Sequence, residues 1–216
     1  VTKLADTVNI PTVDNGSPMV QLDPQVFRLE YRKKDTVELI GEKTLVRQEL
    51  DKKLITSQNR MQRKYPDWQF IITYGYRAPT VQTKYFSERL AVVQKTHPEL
   101  SDRDQIELAH SMSAHPDSAG HPTGGAIDIT IWDKKADREL DMGSEISEFG
   151  DIAYTLYPNL TPEQKKNRST LQQLLMDEGF APFLGEWWHF SYGDKEWAFY
   201  YKKDRAIYDK VEVREL

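Results

Sequence analysis

Residues 120–128, Gly-His-Pro-Thr-Gly-Gly-Ala-Ile-Asp, place His121 and Asp128 seven positions apart across mostly small side chains. Both are metal-ligand types, and the chain has no cysteine, so a transition metal here must rely on His, Asp and Glu. A catalytic zinc uses three such ligands and leaves a fourth position for water. This stretch supplies two. Among His97, His110, His115 and His189 the last stands out, because Gly-Glu-Trp-Trp-His (185–189) puts Glu186 three residues before it. Glu-x-x-His can pair a general base with a ligand. On a regular strand positions i and i+3 face opposite sides, so Glu186 and His189 converge only if the chain turns near Trp187, which Gly185 makes available.

The elements that must position these groups can be read from periodicity. Residues 125–133 read as a strand, with Ile127, Ile129 and Ile131 facing the core and Ala126, Asp128 and Thr130 on the other side. Gly124 and Ala126 then leave space beside the Asp128 carboxylate. Residues 68–76 alternate in the same way, Trp68, Phe70, Ile72, Tyr74 and Tyr76 sharing one side, with Arg77 at the strand's end. Val46, Leu50 and Leu54 recur every four residues and predict a helix over 42–64, ending before Pro66. Further helices are expected over 80–94 and 103–112. Thr161-Pro162-Glu163-Gln164 carries an N-cap, a first-turn proline and a capping-box glutamine, with Leu171, Leu174 and Leu175 as the buried face up to Gly179. The aromatic segment 185–201 reads as a β-hairpin, and residues 1–40 as an irregular arm with one strand in 26–31. The sum is an α+β single domain, a small antiparallel sheet flanked by helices with the metal site at the sheet, the arm 1–40 packed on a domain over 41–216.

Composition bounds the partners. In 216 residues, 34 acidic and 29 basic side chains are well mixed and give a net charge of -5, so no basic stripe invites nucleic acid. No apolar run reaches the roughly 20 residues a transmembrane helix needs. The first residue is Val1 rather than Met, which leaves the compartment open between cytoplasm and periplasm and tilts the expectation towards the periplasm.

Taken together, His121-x-x-Gly124-x-Ala126-x-Asp128 and Glu186-x-Trp188-His189 resemble the paired signature of the M15 group of zinc-dependent D-alanyl peptidases, with its VanY-type carboxypeptidases and VanX-type dipeptidases. Gly75-Tyr76-Arg77-Ala78-Pro79 is similar to that group's Gly-Tyr-Arg-Pro segment with Ala78 inserted, and Leu140-Asp141-Met142-Gly143 to a segment of the dipeptidase branch. The resemblance implies one Zn²⁺ per chain on His121, Asp128 and His189, with Glu186 as general base and then acid. It implies that Arg77 stabilises the oxyanion and that Asp141 receives the substrate's free ammonium group. Ser118 and Trp188 are further candidate substrate contacts. The family's serine two positions before its first histidine is Ala119 here, with Ser118 one residue further off. The implied reaction is hydrolysis of the D-alanyl-D-alanine dipeptide. Two alternatives stay open: a D,D-carboxypeptidase or endopeptidase acting on longer peptidoglycan peptides, and a non-catalytic zinc-stabilised binding module, which would have no need of Glu186.

Overall fold

The computed structural model describes residues 2–32 and 34–213. Its strands are β1 (Met19–Gln21), β2 (Arg28–Leu29), β3 (Leu45–Arg47), β4 (Trp68–Tyr74), β5 (Ala126–Asp133), β6 (Arg138–Glu139), β7 (Ala181–Pro182) and β8 (His189–Ser191). Its helices are α1 (Leu4–Thr7), α2 (Lys34–Ile40), α3 (Gln48–Lys64), α4 (Pro79–Thr96), α5 (Asp102–Met112), α6 (Pro162–Met176) and α7 (Lys195–Tyr200). The main sheet runs β2-β4-β5-β8-β7, with β6 beside β5. Its pairings are antiparallel except that β2 lies parallel to β4, so the expected antiparallel sheet is mixed at one edge. β1 and β3 form a separate antiparallel pair.

Alternation explains where the core lies. Phe70 and Ile72 of β4 and Ile127, Ile129 and Ile131 of β5 join Leu50, Leu54 and Met61 of α3 and Leu171 and Leu175 of α6 in one buried cluster. Each such side chain contributes about 1.5–3 kcal/mol by leaving water. The α6 start forms as its residues dictate: Gln164 N–H donates to Thr161 Oγ1 at 3.2 Å, and Thr161 N–H donates to Gln164 Oε1 at 2.9 Å. A second apolar cluster, with Phe86, Val93 and Ala109, lies between α4 and α5. Among the described residues no helix is long and apolar enough to cross a membrane.

Four local readings are corrected. The helix expected from residue 42 begins only at Gln48, because Leu45 and Val46 are taken by β3 and pair with Gln21 and Val20. The described residues of the stretch 1–40 do not form only an irregular arm with one strand: β1 and β2 each pair with a later strand, and Leu22 and Phe27 are fully buried. The expected hairpin stops at β8. Gly193 turns the chain with φ +81°, and Asp194 caps α7 by accepting from Trp197 N–H at 2.8 Å, so cap chemistry overrides the β-preference of the aromatics. Finally, β4 ends at Tyr74 and carries a bulge after Ile72. Ile72 pairs with Ile129 on the core face, but Tyr74 pairs with Asp128. A bulge re-aims the side chain that follows it. Tyr74 therefore shares the Asp128 face and not that of Phe70.

Candidate active site

Register does most of the assembly. Asp128 on β5 lies directly opposite His189 on β8, and in an antiparallel pair opposite residues project from the same face with their Cβ atoms about 5 Å apart. His121 joins them from a 3-10 turn, His121–Thr123, that ends on Gly124 at φ +71°. All three side chains are buried, and one ligand atom from each lies within 4.8 Å of the others. Asp128 Oδ1 is 3.4 Å from His121 Nε2 and 3.2 Å from His189 Nδ1. Tetrahedral metal–ligand bonds of about 2.0–2.1 Å put neighbouring ligand atoms roughly 3.3 Å apart. The two separations to Asp128 match that spacing, and the three donors together are close enough to share one zinc ion.

The tautomer of His121 follows from its other nitrogen. Nδ1 lies 2.7 Å from the carbonyl oxygen of Gly75, which can only accept, so Nδ1 carries the proton and Nε2 presents a lone pair to Asp128. Burial pushes the His121 pKa down to about 4, consistent with a neutral ring. Asp128 behaves oppositely. Burial would raise its pKa, but the attraction and hydrogen bonding of the His121 and His189 rings, in their protonated forms, outweigh it and hold the carboxyl well below the usual carboxylate range. In His189, burial opposes the charged ring and the neighbouring carboxylates of Asp128 and Glu196 prevail, raising its pKa well above the ordinary value.

A cleft of about 350 Å³ opens on these three residues and is lined also by Arg77, Glu186, Trp188 and Glu196. Glu186 reaches it because the chain does turn: Glu186 N–H donates to Phe183 O and His189 N–H donates to Glu186 O, both at 3.2 Å. Arg77, 8% exposed, is fixed by Nη1 donating to Gln82 Oε1 at 2.7 Å, and its guanidinium lies 4.5 Å from the centre of the Tyr74 ring. Its buried Nε has no partner among the described residues. A cation held this way, with a donor unspent, is suited to an anion that appears during a reaction.

Two proposed substrate contacts are not brought to the cleft. Ser118 is buried against Thr7, sharing a hydrogen bond between hydroxyls, and so ties down α1. Asp141 is turned towards Gly143 N–H at 2.8 Å and Gln164 Nε2 at 2.9 Å, which anchors its loop to α6. Trp188 lines the cleft while being 1% exposed, so it serves wall and core together. Nor do the glycines open space at the metal position. A Cβ on Gly124 would meet the Met19 sulfur at 2.5 Å, and one on Gly125 would meet the Tyr192 carbonyl oxygen at 2.6 Å, so their role is close backbone approach. Sequence reading missed Glu196 on α7 and Tyr74 beside His121. The Gly193-Asp194 helix start was the signal for the first, and the bulge left none for the second.

The arrangement defines a class before it defines a family: a buried nitrogen–carboxylate donor set beside a turned-in carboxylate and a fixed cation is the equipment of a metallopeptidase. The peptidase M15 family model, described as D-Ala-D-Ala dipeptidase, matches residues 30–210, and the chain belongs to this family, whose peptidases are zinc-dependent. A D-alanyl-D-alanine dipeptidase of Synechocystis sp. is 28% identical over 170 residues, covering 68% of each chain. One from Escherichia coli K12 is 33% identical over 73 residues, covering 34% of this chain and 37% of the relative. The solved structure of the LdcB LD-carboxypeptidase superposes with a TM-score of 0.50 at 15% identity, over 94% of this chain and 81% of that one, a likeness of fold.

Proposed function

We propose that the protein hydrolyses D-alanyl-D-alanine peptide bonds at a zinc ion held by His121 Nε2, Asp128 Oδ1 and His189 Nδ1. The observation that carries this reading is the match of the 3.2 Å and 3.4 Å donor separations to a tetrahedral site, with Glu186 and Arg77 in the same cleft. When bound, zinc supplies a Lewis acid that makes water a nucleophile near neutral pH and polarises the scissile carbonyl. Glu186 takes the proton of the attacking water and returns it to the leaving amine. Arg77 stabilises the negative charge that develops on the carbonyl oxygen, and its fixed geometry means little reorganisation at that moment. Trp188 closes the apolar wall beside them.

The free dipeptide is the leading substrate, supported by the dipeptidase relatives from Synechocystis and Escherichia coli. A specific observation favours a second reading, longer wall peptides. Asp141, the expected ammonium receptor, lies outside the cleft, while α4 and α5 extend its lining with Tyr85, Arg89 and Met112. The test is D-alanine release by the zinc-loaded protein from D-Ala-D-Ala and, side by side, from an N-acylated peptide ending in D-Ala-D-Ala. Cleavage of the free dipeptide alone supports the first reading, and preference for the acylated peptide replaces it with the second. Silence on both, with zinc bound, removes both.

A further inference from the structure

Each histidine of the donor set has one nitrogen left for the protein to fix. In His121 that atom is Nδ1, held by Gly75 O at 2.7 Å. In His189 it is Nε2, and the group facing it is the carboxylate of Glu196, with Oε2 at 3.6 Å. We propose that Glu196 is a positioning residue: it holds the Nε2 edge of His189 so that Nδ1 is the nitrogen turned to Asp128 and to the metal. The proposal rests on the reading of His121, Asp128 and His189 as zinc ligands.

Three features support it. Both side chains are largely withdrawn from water, with 10% of His189 and 12% of Glu196 exposed, so little solvent screens the pair. Glu196 has a fixed origin, because Asp194 caps α7 through Trp197 N–H at 2.8 Å and Lys195 Nζ donates to Val8 O at 2.8 Å. Phe183 stands edge-on to the His189 ring with centroids 5.9 Å apart, which limits the ring's freedom to rotate. A carboxylate on the outer nitrogen of a ligating histidine fixes tautomer and ring orientation and makes the inner nitrogen a better donor. The two histidines would then present opposite nitrogens, Nε2 from the turn and Nδ1 from the strand, each set by a different outer partner.

The test is zinc affinity, measured by competition with a chromophoric chelator on the wild type, Glu196→Ala and Glu196→Gln. Hydrolysis plays no part in it. Affinity is expected to fall roughly 10–100-fold in the alanine variant, and the glutamine, which keeps an acceptor oxygen, is expected to recover much of the loss. Long-range proton–nitrogen correlation spectra of the zinc-loaded wild type are expected to show His189 metallated at Nδ1 and His121 at Nε2. Alanine-variant affinity within about twofold of wild type, or metallation of His189 through Nε2, overturns the role of Glu196 while leaving the zinc site intact. A wild type whose His121 and His189 rings show no metal-shifted nitrogen overturns the ligand reading, and this proposal with it.

Discussion

In the proposed reaction Arg77 and Glu186 divide the charge between them, and their different surroundings suit that division. Gln82 Nε2 donates to Ala114 O at 2.7 Å while its oxygen accepts from Arg77, so the cation is oriented by a chain of hydrogen bonds running back to the end of α5. Glu186 lies on a turn in the cleft lining, half-buried, where a carboxylate can exchange protons with water and amine. Glu186→Gln keeps the size and removes the base. Its kcat/KM is expected to fall about 10²–10⁴-fold while zinc bound per chain stays unchanged, and a variant retaining most of the rate would remove Glu186 from the mechanism. Asp194 offers a second test, on stability. Burial, and then the charge of Glu196, push its pKa up to about 7, and its Oδ2 has no partner among the described residues. An unfolded Asp titrates near 3.9, so the folded chain binds this proton more tightly. The resulting stability is complete below about pH 4 and is lost as pH rises towards 7. Asp194→Asn keeps a capping oxygen and carries no charge. Urea unfolding of the metal-free variant is expected to show a flatter pH slope between about 4 and 7 and a higher midpoint at pH 8 than the parent; an unchanged slope would mean Asp194 does not titrate as described.

At the scale of elements, the two glycines before β5 set how close the backbone of residues 124–125 can come to β1 and to the chain leaving β8. Gly125→Ala is expected to cost more stability than Gly124→Ala. The first must push against the Tyr192 main chain, whose N–H is bound to Gly125 O at 2.7 Å, whereas the second mainly displaces the flexible end of Met19 and accepts a positive φ. Costs of roughly 1–3 kcal/mol for Gly125→Ala, read from denaturant midpoints, are expected; a smaller cost than for Gly124→Ala would refute the argument. These local constraints also mark what could be read from sequence. The isoleucine face of β5 and the capping box of α6 were legible because period and cap chemistry are local properties, and residue type and motif were enough to single out His121, Asp128 and His189, which the fold brings together. Tyr74 was not, since a bulge changes facing without changing composition. The Leu45–Arg47 stretch carried a helical stripe, and only its pairing with β1 made it a strand. Asp141 and Ser118 had the right residue types and motif neighbours, but each is spent on a hydrogen bond to a distant element that no local pattern announces.

Across the whole molecule, the sheet separates two kinds of interior. On one face the isoleucines of β5 pack with α3 and α6 in the large cluster; on the other, Asp128 meets His121 and His189 at the cleft. The α4–α5 pair belongs to neither. Its apolar residues, Phe86, Val93 and Ala109 with Leu90 and Ile106, form a cluster of their own, yet Tyr85, Arg89, His110 and Met112 from the same two helices wall the cleft. Opening such a unit exposes its own small cluster and breaks the hydrogen bonds around Gln82 and those from Leu4 and Ala5 N–H to Glu107, while the large cluster stays buried, so it costs less than unfolding the domain. Hydrogen exchange is expected to show the amides of α4 and α5 opening at lower free energy than those of β4, β5 and α3. Because β5 and β8, which carry Asp128 and His189, stay with the large cluster, such an opening would widen the cleft without dispersing the candidate metal ligands. Equal protection in all five elements would mean that cleft width is set by the domain as one unit, and that the substrate must fit the cleft as it stands.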